Sequence, residues 1–174
     1  MISSNMAQQL NGQVNKEFYS AYFYMSMSAH SESENLKGVA AWFMAKYEEE
    51  MAHAMKIYGY LHDQGARVLL EAVDKPPSEY DGVLDMFEKT LSHEQGVTAA
   101  FNDLVDAALA ERDHATNIFL HWFVTEQIEE EATVNDIIGR VKLVGERGEG
   151  LYLIDNELAG VAQQLAQSAA AEAQ

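Results

Sequence analysis

Apolar residues recur along this chain at steps of three and four, the spacing of one face of a helix, and almost nowhere at the alternating spacing of a strand. Four long segments carry the pattern. The first runs from Ser3 or Ser4, either a good N-cap, to about His30, with the stripe Leu10, Val14, Glu17, Ala21, Tyr24 and Ser28. After the polar break Ser31–Glu34, Asn35 is placed to cap a second helix, which ends at Gly65, a residue suited to the position just past a helix. Its stripe is Val39, Phe43, Tyr47, Glu50, Ala54, Ile57 and Leu61, and His53 shares the face of Glu50. The third runs from about Gly82 to Ala110, with the stripe Leu84, Phe87, Leu91, Glu94, Thr98, Phe101, Val105 and Ala108. Asp113 caps the fourth, which runs to about Val144 with the stripe Leu120, Phe123, Gln127, Glu130, Val134, Ile137 and Val141. Gly145, Gly148 and Gly150 then break the pattern before a short amphipathic helix from Leu151 to about Gly160.

The connections choose between the ways four helices can be strung together. Those at residues 31–34 and 111–112 are short, whereas residues 66–81 hold both prolines of the chain, Pro76 and Pro77, and are long enough to travel the length of a bundle. Two antiparallel hairpins joined by one long crossover, with a short fifth helix at the C-terminal end, predict an all-α, ferritin-like four-helix bundle. Residues 1–160 form this one domain. Residues 161–174, rich in Ala and Gln, are expected to be a low-complexity tail of frayed helix or disorder.

Each stripe is interrupted once by a glutamate near mid-helix: Glu17, Glu50, Glu94 and Glu130. Mid-helix positions meet at one level whichever way the helices run. Ionised carboxylates gathered in a dry core cost several kcal/mol each, roughly, unless they are neutralised. Divalent cations remove the conflict. Glu50 and His53 form a Glu-x-x-His pair whose side chains lie three apart on one face, the ligand motif of di-iron and di-manganese bundles. Alone that pair is common; beside three facing glutamates it points to a metal centre. A single glutamate on such a stripe is ordinarily a boundary residue with its charged end in water, a reading that four coincidences and a histidine disfavour. Carboxylate and imidazole ligands suit iron(II), manganese or zinc.

Composition narrows the chemistry further. The 174 residues contain no cysteine, which excludes disulfides, thiolate zinc sites and cysteine-bound iron–sulfur clusters. The formal net charge of -17 argues against nucleic acid and for cationic partners. No apolar run approaches a membrane span, and no basic, apolar leader opens the chain, so cytoplasmic residence without membrane attachment is expected.

From about Asn5 to Leu158 the chain resembles the bacterial non-haem ferritins, in the spacing of every ligand and in the ending Gly148-Glu149-Gly150-Leu151-Tyr152. The resemblance implies that Glu17, Glu50 and His53 hold one iron, that Glu50 bridges, and that Glu94 and Glu130 hold the second with Gln127 beside it. It puts a third iron on Glu49, Glu126, Glu129 and Glu130. Runs such as Glu48–Glu50 and Glu129–Glu131 are usually solvated acidic faces, but one member of each points inward and Glu126, Glu129 and Glu130 cluster at helical spacing, which favours the third site. The family's tyrosine position falls on Tyr24; Tyr24 and Trp122 read equally as packing aromatics. Met51 fills the place of the haem-ligating methionine of bacterioferritins, but the second Glu-x-x-His of those proteins is replaced here by Gln127-Ile128-Glu129-Glu130, and no haem is expected. His30, His62, His93, His114 and His121 are expected at the surface or its boundary.

The function so implied is iron storage. Fe(II) is oxidised at a di-iron ferroxidase centre by O2 or H2O2, and Fe(III) is laid down as a mineral inside a homo-oligomeric shell of twenty-four subunits. The short last helix would pack at the four-fold axis, and Asp113, His114, Asn117 and His121 would lie near the three-fold channels. Two rivals share the bundle: a di-iron oxidase or peroxidase that stores nothing, and a metal-free structural bundle.

Overall fold

The computed structural model describes residues 2–172, with side chains as far as Gln167. Its five helices are α1 (Ser4–Ser33), α2 (Lys37–Asp63), α3 (Val83–Ala110), α4 (His114–Val144) and α5 (Gly148–Glu172), and the described residues contain no strand. This is the four-helix bundle with a C-terminal fifth helix that the periodicity predicts. The first four helices begin and end within three residues of their predicted limits.

Two apolar clusters show how the helices run. One gathers Met6 and Leu10 from the start of α1, Ile57 and Leu61 from the end of α2, Phe101 and Leu104 from the end of α3, and Leu120 and Phe123 from the start of α4. The other gathers Met27, Val39, Phe43, Met86, Phe87, Ile137 and Val141 from the opposite ends. Hence α2 and α3 are parallel, and residues 64–82 cross the full length of the bundle to make them so. Burying these side chains is the main source of stability, at roughly 1.5–3 kcal/mol for each large one. Between the clusters lies a layer of buried polar residues: Gln13, Glu17, Lys46, Glu50, His53, Glu94, Gln127 and Glu130.

Helix starts divide into two kinds. α1 and α4 cap themselves: Ser3 Oγ accepts from the Met6 amide at 3.0 Å, and Asp113 Oδ1 from the Thr116 amide at 3.0 Å. α2 and α3 do not. The expected cap Asn35 instead has φ 61° and belongs to the turn that ends α1, a left-handed position asparagine tolerates. The first amides of α2, those of Gly38 and Val39, donate to Asp155 Oδ1 of α5 at 2.7 and 2.9 Å. The Leu84 amide of α3 donates to Glu146 Oε2, beyond the end of α4, at 2.7 Å. Because α2 and α3 are parallel, both bare starts sit at one end of the bundle, where the chain after α4 closes them.

The fifth helix is longer than the sequence suggests. It begins at Gly148 and continues through the Ala- and Gln-rich segment to Glu172, where a stop near Gly160 is expected. Ala is the strongest helix former and Gly160 is a single weak point, so nothing halts the helix. Ile154, Leu158 and Ala162 bury its inner face, and Gly38 allows α5 to lie directly on α2. A Cβ at Gly38 would stand 1.6 Å from the Asp155 carbonyl oxygen. Ala173 and Gln174, the last residues of the predicted tail, fall outside the described residues.

Candidate metal centre

The helix steps of three and four that bury Val14 and Ala21 also turn Glu17 wholly inward. Its Oε1 accepts a hydrogen bond from Gln13 Nε2 at 2.6 Å, one turn earlier on α1. Its Oε2 is buried and accepts none from the described residues. An unpaired buried acceptor costs about 1–3 kcal/mol, so this atom needs a partner that the polypeptide does not supply.

Facing it from α2 are Glu50 and His53. His53 Nδ1 lies 3.4 Å from Glu50 Oε2 and 3.7 Å from Glu17 Oε2. The three residues offer ligand atoms that all fall within 4.8 Å of one another, close enough to surround a single cation. The His53 ring packs edge-on against both Trp122 and Phe123, with centroids at 5.3 and 5.9 Å, which restricts its plane. Burial opposes a charge on His53, but the facing carboxylates of Glu17 and Glu50 outweigh it and push the imidazole up to about 10. Burial and the neighbouring Glu17 raise Glu50 despite the opposing pull of His53.

The other half of the layer is closed by donors of the protein itself. Glu94 accepts from Gln127 Nε2 at 2.9 Å and from the Tyr24 hydroxyl. Burial, reinforced by Glu50, pushes its carboxyl up. Tyr24 is wholly buried, and burial together with Glu94 holds its hydroxyl well above the ordinary phenol value, so it remains a donor. Glu130 is buried as well and is bonded to the ammonium of Lys46. Burial pushes its carboxyl up to about 8, with Lys46 pulling the other way.

Lys46 is the member of this layer that the apolar pattern does not reveal. Its Nζ also reaches Glu49 Oε2 at 2.5 Å. Burial would strip its proton, but Glu130, Glu49 and Glu50 overcome that and hold the ammonium charged. Lys46 overcomes the effect of burial on Glu49 too, and keeps its carboxyl low. The available signal is spacing, since Lys46, Glu50 and His53 stand four and three apart on one helix face. Gln13 escapes the pattern for the same reason, one turn before Glu17.

Of the four residues implied for a third iron, Glu49 and Glu126 approach His53, with ligand atoms within 4.8 Å of one another. Glu130 is engaged by Lys46, and Glu129 lies exposed, outside the gathered ligand atoms. A cavity of about 470 Å³ opens beside them, walled by Glu49, His53, Lys56, Trp122, Glu126 and Leu165 of α5. Lys56 Nζ sits 3.9 Å over the Trp122 ring. Met51 is half-buried, and His62, His114 and His121 are exposed with His30 and His93 at the boundary.

A four-helix bundle with two Glu-lined half-sites meeting in a buried polar layer has the architecture of the carboxylate-type metal-binding bundles. Residues 7–144 match the family model of the ferritin-like domain. The chain belongs to the ferritin family. It is 41% identical over 162 residues to the bacterial non-heme ferritin of Campylobacter jejuni, covering 93% of this chain and 97% of the relative. To the bacterial non-heme ferritin of Staphylococcus aureus strain MRSA252 it is 39% identical over 158 residues, 91% of this chain and 95% of the relative. The crystal structure of the open-pore ferritin of the archaeon Archaeoglobus fulgidus superposes with a TM-score of 0.90 at 44% identity, covering 91% of this chain and 98% of that one.

Proposed function

We propose that this protein is an iron-storage ferritin that oxidises Fe(II) at the buried polar layer. The observation that carries the reading is the orphaned Oε2 of Glu17, facing Glu50 and His53 in a buried polar layer. Glu17, Glu50 and His53 bind one Fe(II); Glu94 and Glu130 bind a second; Glu50 lies between them and bridges. Two Fe(II) give one electron each to O2, which takes two protons and leaves as H2O2; H2O2 as oxidant would take the same two electrons with two protons and leave as two waters. The carboxylates favour the products because Fe(III) carries one more charge than Fe(II). His53 must lose its proton to bind metal, so loading releases protons. Gln127 and Tyr24 orient Glu94, and Gln13 orients Glu17.

Oxidised iron leaves for a mineral store, which a single bundle cannot enclose. Membership of the ferritin family supports a shell of many such subunits, which we take to be twenty-four. We take the store to be cytoplasmic; no described helix is long and apolar enough to cross a membrane. The test adds Fe(II) anaerobically to the metal-free protein, admits oxygen, and follows oxidation and particle mass together. Fast oxidation that is lost in Glu50→Ala and His53→Ala, in shells that go on to hold hundreds of irons, roughly, establishes the reading. Oxidation that stops at about two irons per chain would instead mean a di-iron oxidase without storage. No metal-dependent oxidation at all would sink both.

A further inference from the structure

Lysine is the residue least expected in the middle of a bundle, yet Lys46 is only 5% exposed. A buried ammonium persists only where carboxylates surround it, and here two do, Glu49 from its own helix and Glu130 from α4. These are two of the four residues on which the family resemblance puts a third iron. The other two are not drawn to the same point. Glu126 approaches Glu49 and His53 on the cavity side, and Glu129 is exposed. The positive charge of a third metal ion is therefore already present, tethered to the chain.

We propose that Lys46 is the built-in third cation of this centre: its ammonium spans Glu49 and Glu130, so that the protein takes up a pair of metal ions and excludes a third. The inference rests on the paired site proposed above. A tethered ammonium offsets one of the two negative charges that Glu49 and Glu130 can carry, cannot be oxidised, and cannot leave for the mineral. It also holds one oxygen of Glu130 and leaves the other to the second iron, so Lys46 positions a ligand of the pair while blocking the neighbouring place.

The experiment is an anaerobic calorimetric titration of the metal-free assembled protein with Zn(II), which binds carboxylate and imidazole but undergoes no oxidation. Wild type should take two zinc ions per chain. Lys46→Gln should take three, the third at least about tenfold tighter than any further binding by wild type, because a positive charge has been removed from its ligands. Lys46→Arg, which restores the charge, should return to two. Thermal melting and particle mass report whether each variant is folded and assembled. Equal stoichiometry and affinity in wild type and Lys46→Gln would overturn the inference and leave Lys46 a structural ion pair. Three tight sites in wild type would overturn it too, whereas no binding in wild type would bring down the paired site itself. Crystals of wild type soaked in Zn(II) answer without any variant. The ammonium should remain between Glu49 and Glu130, and a zinc seated there with Lys46 displaced would reject the proposal.

Discussion

Nδ1 of His53 stands 3.7 Å from Oε2 of Glu17, across the contact of α1 with α2, too far for a hydrogen bond and about right for two ligands of one cation. Glu17 is the one residue of the pair whose second oxygen has no other use. Replacing it should affect one half of the centre alone. In Glu17→Gln, zinc bound per chain should fall from about two to about one, with the fold and the assembly retained. A titration that still counts two would remove Glu17 from the ligands.

The same arrangement fixes how the empty protein responds to pH. His53 is raised from 6.5 to about 10 in the fold, Glu130 from 4.5 to about 8, and Glu50 and Glu94 also lie above 4.5. Each of these groups binds its proton more tightly folded than unfolded. Each therefore contributes stability below its unfolded value and loses it as pH rises through the folded one. Glu49 is lowered and acts oppositely, but its contribution is lost only as pH falls below the ordinary carboxylate range. The melting temperature of the metal-free protein should therefore fall between about pH 6 and about pH 9, and the increment produced by Zn(II) should grow. A metal-free melting temperature that climbs across that range would contradict the raised values of His53 and Glu130.

Tyr24 and Gln127 hold the two oxygens of Glu94. Orienting partners of metal ligands are typically worth 10–100-fold, roughly, in affinity or activity. Tyr24→Phe removes one donor from a wholly buried carboxylate while keeping the ring. We expect Fe(II) oxidation about tenfold slower, with two metals still bound. If the rate is untouched, Tyr24 is a packing aromatic and no more.

Asp155 supplies the cap that α2 lacks. Losing an N-cap costs about 1 kcal/mol, so Asp155→Ala should lower stability by that amount in denaturant melts. Gly38→Ala should be worse, because its Cβ would meet the Asp155 backbone and lift α5 from α2. Asp155→Asn, which keeps the accepting oxygen, should sit near wild type. Should Asp155→Ala cost nothing, water caps α2 as well as the carboxylate does.

How much of this the sequence reveals depends on the range of the interactions concerned. Helical periodicity is local, and it locates α1 to α4, the long crossover, the Asp113 cap and the inward positions of all four glutamates. Caps provided by distant residues leave no local trace. Asn35 has the composition of a cap, but Asp155 does its work. Lys46 eludes a hydropathy reading because its surroundings, not its type, make it a core residue; only its place four before Glu50 marks it. α5 outruns its expected end because an Ala-rich stretch reads as low complexity while also being a good helix.

The two borrowed caps also set a timetable for a chain being made. The amide of Gly38 waits 117 residues for Asp155, and that of Leu84 waits 62 for Glu146. At about 5–20 residues per second, α2 spends on the order of ten seconds outside the ribosome with its first turn bare. During that interval the α1–α2 hairpin already holds Glu17, Glu50 and His53, but not the carboxylates of α3 and α4. The last helix to emerge is the one that fastens the second, so the nascent chain has half of the proposed iron site long before it has a finished bundle around it.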